Sequence, residues 1–594
     1  MTTQPRMDWR LLALMFALVA AAFIVRVLLN ASTIPLVADT DDAMRLVVVR
    51  DFMSGQAWYD NVQHRLNTPN GAELHWSRLA DLPLAGLILL FRPFLGAGAD
   101  MAAAWVLPLI WLFVLLYLSG RLTIALVGRE GLLPGLALPA FSLSVLAEFA
   151  PGRIDHHSLQ VLLALFIAWC SVEALRRPRF AVGAGIGAAT AIAIGVEALP
   201  TVSAALLAFG LMWVTTPERA STLRIFGVSF AIGTVAHLML ALPPERWLSP
   251  ACDAISFTYA VAAIAAGVVF VLLSVLTVGS MWLRLGLGIV AGVVVLGALA
   301  LLFPTCLGGP YAAVDPWLQS NWLALINEAF PLWQSFANDP VYPLAVAVPP
   351  ILAILAIVAR VVRGPADGRG GWLVYAAFLA LAVATMFLQI RASRLATPLA
   401  VPAGAWLIVA ARHWYLETKA LPRIAGLLGA WIGSAGLAVG VIASLVVAAI
   451  PSLATAVADT ELKSRRACLM PAAFAELAAI PPARVMTPID LGSHMLAFTP
   501  HEVVAAPYHR NEAGVRDAFD FFNGPIAAGR DILEKRGVSL VVVCPAMPEL
   551  RGRADAAPDS FVRLRQAGTL PDWLVEQSIS GSPLEVYAVM PERQ

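Results

Sequence analysis

The sequence predicts a polytopic α-helical membrane protein, with about thirteen transmembrane helices followed by a soluble C-terminal α/β domain. The first observation is composition: of 594 residues, 59% are hydrophobic and only 13% are charged, and the mean hydropathy is +0.77. An ordinary soluble protein is about 45–50% apolar, so that class is excluded. The second observation is that many apolar runs reach the roughly 17–25 residues that cross a bilayer. The third is a change to polar composition after residue 450.

Thirteen segments have a suitable length, and each is predicted to be a helix because a helix satisfies its own backbone hydrogen bonds in lipid. The predicted spans are 10–29, 101–127, 131–149, 158–175, 180–197, 199–215, 223–242, 255–277, 281–303, 343–363, 372–390, 396–412 and 424–450. The first is interpreted as a retained helix, since it lacks a clear small-residue cleavage site. Leu82–Leu95 is apolar but contains Arg92-Pro93, so we interpret it as an interfacial or re-entrant helix.

Loop charges predict how these spans are oriented. With the N-terminus in the cytoplasm, most of the loops rich in basic residues fall on the cytoplasmic side, as the positive-inside rule expects. These loops are 128–130, 176–179, 215–224, 360–369 and 412–423. The loops assigned to the extracytoplasmic side are 30–100, 150–157, 243–253, 304–342 and 389–394. We therefore expect a multi-pass protein of the inner (plasma) membrane, and the odd number of spans places the C-terminal domain on the extracytoplasmic side.

The polar chain after the last span predicts a separate domain. The expected boundary divides a membrane domain, 1–450, from an α/β domain, 451–594, and the loops 30–100 and 304–342 belong to the first. Two apolar runs predict buried strands and two longer runs predict helices, and these are respectively 484–489, 538–545, 513–522 and 524–535. Cys468 and Cys544 can form a disulfide if the domain lies in an oxidising compartment, and the sequence leaves this pairing open.

Acidic and aromatic residues are concentrated in the first extracytoplasmic loop. Asp39, Asp41 and Asp42 fall within four positions. Acids at the start of a helix can serve only as caps, but three of them exceed what a cap requires. The same loop ends with the run His75-Trp76-Ser77-Arg78, which supplies candidate substrate-binding side chains in His75, Trp76 and Arg78, and Asp39 is a further candidate of this kind.

A second polar motif, Asp155-His156-His157, lies between two predicted spans. A carboxylate and an imidazole two residues apart at a helix start can face one divalent metal ion, and both are suitable ligands for Mn²⁺ or Mg²⁺. Asp155 can alternatively be a helix cap, with a histidine that extends to the membrane interface. His156 is a candidate substrate-binding residue.

Two further motifs fall on the same predicted face. Glu328 follows Asn327 in the loop 304–342, where a lone glutamate is most often only solvated. Arg391 and Arg394 lie about one helical turn apart at the end of a span, a spacing that suits a phosphate group. Basic residues can also anchor a helix at the interface, but they are disfavoured on this side. Acids and histidine for a metal, with arginines for phosphate, describe a site for a phosphorylated lipid donor.

In the order of these motifs the chain resembles the GT-C membrane glycosyltransferases, and within them the catalytic subunit of oligosaccharyltransferase. That family has thirteen spans, a long first external loop and a C-terminal external domain. The resemblance implies that Asp42 or Asp41 is the catalytic, metal-binding acid and that Asp155 and His157 complete the metal site. It also implies a role for Glu328 near the reaction centre, and it places the pair Arg391 and Arg394 near the lipid phosphate.

One motif departs from the family. Oligosaccharyltransferases read the acceptor with a Trp-Trp-Asp-Tyr-Gly motif, and the nearest match here is Pro488-Ile489-Asp490-Leu491-Gly492. Asp490 is therefore kept as a candidate substrate-binding residue, while recognition of an asparagine sequon is placed in doubt.

The predicted function is that of a metal-dependent, inverting glycosyltransferase that uses a polyprenyl-linked sugar donor. The metal is Mn or Mg, the acceptor is a glycan, lipid or protein, and no nucleic acid is involved. Two alternatives compete with this hypothesis. A flippase or transporter of lipid-linked glycans requires ionisable residues inside the spans and internal repeats, and the sequence has few of the former and none of the latter. A non-enzymatic scaffold explains the tryptophan-rich loop but not the Asp-x-His motif or the arginine pair.

Overall fold

The computed structural model describes residues 6–450, 459–577, 579 and 581–591. Helices dominate its first and larger part. They are α1 (Trp9–Asn30), α2 (Thr40–Met53), α3 (Arg78–Leu95), α4 (Ala99–Val127), α5 (Leu132–Ala137), α6 (Leu143–Glu148), α7 (His157–Ala174), α8 (Phe180–Ile194), α9 (Leu199–Thr215), α10 (Ala220–Ala241), α11 (Phe257–Val275), α12 (Met281–Leu302), α13 (Pro316–Asn321), α14 (Leu332–Asn338), α15 (Val341–Arg363), α16 (Arg369–Leu388), α17 (Ser393–Thr418), α18 (Leu421–Ser434) and α19 (Gly436–Ala449).

The chain is a multi-pass membrane protein. Within the described residues, ten helical segments are long and apolar enough to cross a membrane, and the pair α18 and α19 raises the number to eleven if it counts as one span. Helix α8 is apolar but has only 15 residues. The ten or eleven candidate spans are roughly consistent with the thirteen predicted, and the predicted fold class is confirmed.

Two predicted spans are interrupted for identifiable reasons. The segment predicted at 131–149 is divided into α5 and α6, because Pro139 lacks an amide donor and the Ser142 hydroxyl caps a new helix through the Val145 amide. The segment predicted at 424–450 bends by 96° between α18 and α19. At this bend a Cβ on Gly436 would lie 2.5 Å from the Ala345 carbonyl oxygen, so the close approach requires glycine.

The first long loop contains α2, a short hairpin and α3. Strands β1 (Val62–Gln63) and β2 (Ala72–Glu73) pair antiparallel. Helix α3 packs against α4, burying Leu84 and Ile88 while Leu89 and Phe94 remain exposed. This one-sided burial suits a helix at the boundary between the bundle and lipid. Helices α3 and α4 together count as one candidate span, Arg78–Val127, so the interfacial or re-entrant placement of α3 stays a prediction.

The C-terminal region forms a mixed sheet with helices. Its helices are α20 (Asp459–Cys468), α21 (Ala475–Ala479), α22 (Ile489–Phe498), α23 (Glu512–Asn523), α24 (Ile526–Arg536) and α25 (Phe561–Ala567), and its strands are β3 (Arg484–Met486), β4 (Glu502–Val503), β5 (Leu540–Val543), β6 (Leu574–Gln577) and β7 (Glu585–Val589). The strand order is β4-β3-β5-β7-β6. Strand β3 pairs parallel with β4 and β5, and β7 pairs antiparallel with β5 and β6. The predicted α/β region is confirmed, with strands somewhat shorter than expected.

The first loop is attached to this C-terminal region. The Arg65 guanidinium donates to the carbonyls of Leu496 at 3.0 Å and Thr499 at 3.0 Å, at the end of α22. The Val503 amide donates to the Arg65 carbonyl at 2.8 Å, which adds the loop to the edge of the sheet. Apolar residues of the two segments, including Met44 and Val541, belong to one hydrophobic core. The C-terminal region is thereby held against the end of the bundle that carries α2.

Four of the five cysteines form disulfides. Cys468 bonds to Cys544, the pair that the sequence left open. Cys252 bonds to Cys306, which the sequence did not predict, and this bridge joins the connection before α11 to the turn after α12. Cys170 is free and buried.

Candidate active site

The acid cluster and the Asp-His-His motif meet directly, although 112 residues separate them. Asp42 is fully buried. One of its carboxylate oxygens accepts the amides of Ile154 at 2.8 Å and Asp155 at 2.9 Å, and the other accepts the Arg153 guanidinium at 2.7 Å. Asp42 therefore holds the 153–155 turn against α2 with both of its oxygens.

A close approach of backbone to backbone accompanies this clamp. Gly152 has a φ of +94°, and a Cβ there would lie 1.9 Å from the Leu36 carbonyl oxygen. The Gly152 amide donates to the Ala104 carbonyl at 2.9 Å. Only glycine fits this combination of positive φ and contact, and so the residue allows the turn to lie beneath the acid cluster.

Asp155, His156 and His157 form a compact group of buried ligand atoms. One atom from each residue can be chosen so that all three lie within 4.8 Å of one another. Asp155 Oδ2 lies 3.2 Å from His157 Nε2, and His157 Nδ1 lies 3.3 Å from Glu197 Oε2, but neither buried atom makes a well-aligned hydrogen bond in the described part of the chain. Two imidazoles and a carboxylate suit a transition-metal ion or Mn²⁺, so these residues fit a divalent cation.

The charges around this group also favour a cation. Burial acts to raise the pKa of Asp155, but the adjacent imidazoles of His156 and His157 outweigh it and hold that pKa well below its ordinary value. Burial raises the pKa of Asp41 well above its ordinary value, and the carboxylates of Asp155 and Asp39 reinforce the shift. A divalent ion among these carboxylates would stabilise their charged forms.

Asp41 and Asp42 occupy different positions although they are adjacent in sequence. Asp41 lines a cavity of about 490 Å³. Asp42 faces the 153–155 turn and does not line that cavity. The structure therefore distinguishes the two acids, which the sequence could not do. Asp41 faces the cavity, whereas Asp42 holds the 153–155 turn in place.

The two arginines lie in a network of carboxylates. Arg391 Nη1 is 3.6 Å from Glu197 Oε1, and Glu197 Oε2 is 3.3 Å from His157 Nδ1. Arg394 forms ion pairs with Glu328 and with Glu148, the latter at 3.1 Å. Arg391 and Glu328 line the cavity beside Asp41. The predicted acid, histidine and arginine motifs are thus brought together around one space.

Aromatic rings form another part of the cavity lining. The rings of His75 and His509 are tilted by 50° with their centroids 4.5 Å apart, and the Tyr311 ring lies 5.0 Å from that of His509. Trp76 contacts the edge of Tyr508 at 5.3 Å. Since Tyr508 and His509 belong to the C-terminal region, this cavity is completed by residues more than 400 positions from the acid cluster.

Three predicted candidates have supporting or separate positions. The Arg78 guanidinium is buried and donates to the carbonyls of Val48 at 3.2 Å and Asp60 at 2.6 Å, which is a role in the fold of the loop. Asp490 forms an ion pair of 2.8 Å with Arg465 and does not line the cavity. Asp39 caps α2 and forms an ion pair of 2.9 Å with Arg153.

Several residues of the site were not predicted as such. Arg153 forms ion pairs with Asp39, Asp42 and Glu148. Its place beside the Asp-His-His motif was the available signal. His509 was missed because nothing local marks it; its imidazole lies 2.7 Å from Asp253, which also receives two bonds from Arg510.

Comparisons with known proteins place this geometry in a class. No family model matches the sequence, and no curated protein matches it. Among solved structures, the archaeal oligosaccharyltransferase AglB from Archaeoglobus fulgidus, in complex with an inhibitory peptide and a dolichol-phosphate, matches with a TM-score of 0.67 at 13% identity, over 96% of this chain and 72% of that chain.

Other structures of the Archaeoglobus fulgidus oligosaccharyltransferase agree. The form tethered to an acceptor peptide containing the NVT sequon has a TM-score of 0.61 at 14% identity, over 93% of this chain and 70% of that chain. The complex with Zn and sulfate has a TM-score of 0.59 at 14% identity, over 97% and 73%. The chain thus has the fold of the GT-C membrane glycosyltransferases. It is structurally similar to AglB, in agreement with the resemblance carried by the sequence motifs.

Proposed function

We propose that the chain is a membrane glycosyltransferase that moves a sugar or glycan from a polyprenyl-phosphate or polyprenyl-diphosphate donor to an acceptor on the extracytoplasmic face. The observation that carries this proposal is the convergence of Asp41, His156, His157 and Arg391 on one cavity, with the Asp155 carboxylate directly against the two imidazoles. The fold supports the same reaction class, since the similar AglB structure holds a dolichol-phosphate.

The donor phosphate is expected against the guanidiniums of Arg391 and Arg394. Both are buried enough to make strong charge-assisted hydrogen bonds, and their side chains are only about one-fifth exposed, at 20% and 19%. In the structure they are paired with Glu197, Glu148 and Glu328. An arriving phosphate would share these arginines with the carboxylates.

Asp155 and His157 are the proposed metal ligands, with His156 beside them, and Asp41 lines the same cavity as the two histidines. A bound Mn²⁺ or Mg²⁺ ion would neutralise charge that develops on the leaving phosphate. Zn in a similar structure supports a divalent cation in this fold without choosing between these metals. Asp42, which the sequence resemblance named first as the metal-binding acid, with Asp41 as the alternative, is assigned a supporting role because both of its oxygens are engaged by the 153–155 turn.

The acceptor nucleophile requires a base, and Asp41 and Glu328 are the proposed candidates. Asp41 and Glu328 both line the cavity. Burial raises the pKa of Asp41 above its ordinary value, which makes its carboxylate more basic, and the Glu328 carboxylate is half exposed, 47% accessible. Attack on the side of the anomeric carbon opposite the departing phosphate would invert its configuration. The sequon-reading function of oligosaccharyltransferases is not carried over, because Asp490 is paired with Arg465 outside the cavity.

The direct test is replacement of the proposed metal ligands. In cells that lack the native gene, Asp155→Asn and His157→Ala should each lose the glycosylated product that the wild-type chain restores, because the ligand set becomes incomplete. Mass spectrometry of the lipid and protein fractions measures this product. Arg363→Ala serves as the control, because Arg363 is exposed and lies at the C-terminal end of α15. Full product from both ligand variants would refute the proposal.

Metal removal gives an independent prediction. Dialysis of the purified protein against a chelator should abolish transfer, and Mn²⁺ or Mg²⁺ should restore it, because hard oxygen ligands together with imidazole bind these ions reversibly. The measurement is the transfer rate with a donor-containing lipid extract before and after each ion is returned. A chelated protein that keeps its full rate would contradict the metal site.

The disulfides test the proposed orientation. Both bonds lie on the side of the membrane that carries the site, and disulfides persist in oxidising compartments. Cys468→Ser should lower the free energy of unfolding by about 2–4 kcal/mol, because the bond closes a long loop in the unfolded chain. Thermal unfolding with and without reductant measures this effect. Cys170→Ser is the control, and free thiols at Cys468 and Cys544 in the native protein would contradict the orientation.

A further inference from the structure

A second cavity lies on the other side of the acid cluster. This lateral cavity, of about 260 Å³, is bounded by the C-terminal half of α1, the connection 34–39, the end of α6 and the turn 150–153. Most of its lining is apolar and includes Phe23, Val27 and Leu146. The apolar stretch of α1 is only 22% buried within the chain, so a cavity bounded by this helix lies next to lipid.

The side chain of one charged residue that lines the lateral cavity makes no polar contact within the described part of the chain. Arg26 is exposed, and its guanidinium has no hydrogen bond or ion pair with any part of the chain that the structure describes. An ionisable residue within a membrane helix is costly and commonly functional. The neighbouring Asn30 amide donates to the Arg26 carbonyl at 2.7 Å, and both side chains belong to the rim of the cavity. This rim is suited to an anionic group at the membrane surface.

The lateral cavity also contains a carboxylate. Asp39 lines this cavity, and its side chain is 44% exposed. Asp41, two residues further along the first turn of α2, lines the larger cavity instead. The same helical turn therefore presents one acid to each space. Arg153, which also lines the lateral cavity, is already paired with three carboxylates, so Arg26 carries the unneutralised positive charge.

We propose that the lateral cavity binds the acceptor, and that the acceptor is an anionic membrane lipid carrying a hydroxyl nucleophile. The apolar lining takes the lipid chain, Arg26 and Asn30 take the anionic group, and Asp39 accepts a hydrogen bond from the hydroxyl. This inference rests on the proposed transferase function and names its acceptor class. A peptide acceptor would leave both the apolar lining and Arg26 without a ligand.

The transfer step balances with these two substrates. The acceptor hydroxyl oxygen forms a bond to the anomeric carbon of the donor sugar while the bond from that carbon to the phosphate oxygen breaks. The electrons of the broken bond leave with the lipid phosphate. The hydroxyl proton passes to a carboxylate of the acid cluster, and no oxidant or reductant is required.

Photolabelling in nanodiscs tests binding without requiring transfer. The full chain is placed in phosphatidylcholine discs with a trace of phosphatidic acid that carries a photoreactive acyl chain, or with the matching diacylglycerol. Phosphatidic acid should label peptides that contain residues 23–39 and 146–153 in preference to diacylglycerol. Arg26→Ala should reduce this labelling about fivefold, the contribution of one arginine near an anionic lipid. Ala147→Trp, which fills the cavity, should also reduce it.

Arg10→Ala is the matched control, because Arg10 is an exposed arginine near the other end of the same helix, and its labelling should equal that of the wild type. The proposal is overturned if labelling is unchanged in both Arg26→Ala and Ala147→Trp, or if all lipid-facing helices are labelled equally.

Product analysis in cells separates this inference from the function on which it rests. If Arg26→Ala and Ala147→Trp lose a glycosylated lipid that Asp155→Asn also loses, the acceptor assignment is supported. If only Asp155→Asn loses product, or if the lost product is in the protein fraction, the acceptor assignment fails while the transferase stands. If no variant loses product, the proposed function itself fails.

Discussion

Asp42→Ala is expected to lower the free energy of unfolding by about 3–5 kcal/mol, the cost of breaking a buried ion pair from one side. The variant leaves the amides of Ile154 and Asp155 without their acceptor and removes a close partner of Arg153. The 153–155 turn should then lose its position, and transfer should be lost with it. The shift in the unfolding midpoint of the purified protein measures the first effect.

Asp39→Ala is the matched control for Asp42→Ala, since Asp39 pairs with the same Arg153 but is half exposed. Its loss removes a half-exposed ion pair and the N-cap of α2, and should cost about 1–2 kcal/mol, less than the loss of Asp42. Equal destabilisation by the two variants would contradict the supporting role of Asp42.

The Asp42→Asn variant distinguishes a structural role of Asp42, in holding the 153–155 turn, from a direct role as a metal ligand. The amide oxygen can still accept the two backbone amides, so the turn should stay in place and the affinity for Mn²⁺ should fall by no more than about 10–100-fold. If Asp42 were a direct ligand, the affinity would fall strongly, by far more than the 10–100-fold typical of a second-layer residue. Titration calorimetry with Mn²⁺ distinguishes the two.

Arg391→Ala and Arg394→Ala are each expected to reduce the transfer rate by about 10²–10³-fold, the usual effect of removing one group that stabilises charge in the transition state. Arg394→Lys should recover only part of this rate, because a lysine cannot make two parallel hydrogen bonds to a phosphate. Turnover of a donor lipid extract by the purified variants measures the effect.

The arginine prediction includes its own control for folding. Loss of Arg394 leaves Glu148 with Arg153 as its remaining partner, so the unfolding midpoint is compared with that of wild type before rates are interpreted. Arg363→Ala, which changes an exposed arginine far from the site, should leave the rate unchanged. A normal transfer rate in both Arg391→Ala and Arg394→Ala would contradict a phosphate-binding site at these two arginines.

Loop charge and hydropathy were sufficient to predict the class of fold and the face that carries the site. Asp155, Glu328 and Arg394 are separated by 239 positions, yet each is marked by an unusual charge next to an apolar run, and alternation of loops places all of them on one side. That these residues lie on one side could be predicted without knowing how the helices pack, because the order of the spans determines on which side of the membrane each loop lies.

The sequence could not divide the roles of Asp41 and Asp42. Their difference arises from which side of α2 meets the turn 153–155, and that contact depends on the positive φ of Gly152 and its approach to Leu36. No local pattern reports such a contact. The same holds for Tyr508 and His509, which reach the cavity only because the C-terminal region packs on the first loop.

Helix boundaries failed where local breakers act inside apolar runs. Hydropathy alone treats 131–149 as one span, whereas Pro139 and the Ser142 cap divide it. The bridge from Cys252 to Cys306 was likewise beyond reach, since cysteine spacing does not determine pairing.

The most direct measurement for the central claim is native mass spectrometry of the purified protein, comparing the wild type with the Arg391→Ala, Arg394→Ala double variant. The account predicts that the wild type carries a bound polyprenyl-phosphate or polyprenyl-linked sugar, that the double variant has lost it, and that Arg363→Ala retains it. A wild-type protein that carries no such lipid after extraction with donor-rich membranes, or a double variant that binds it equally well, would contradict the account.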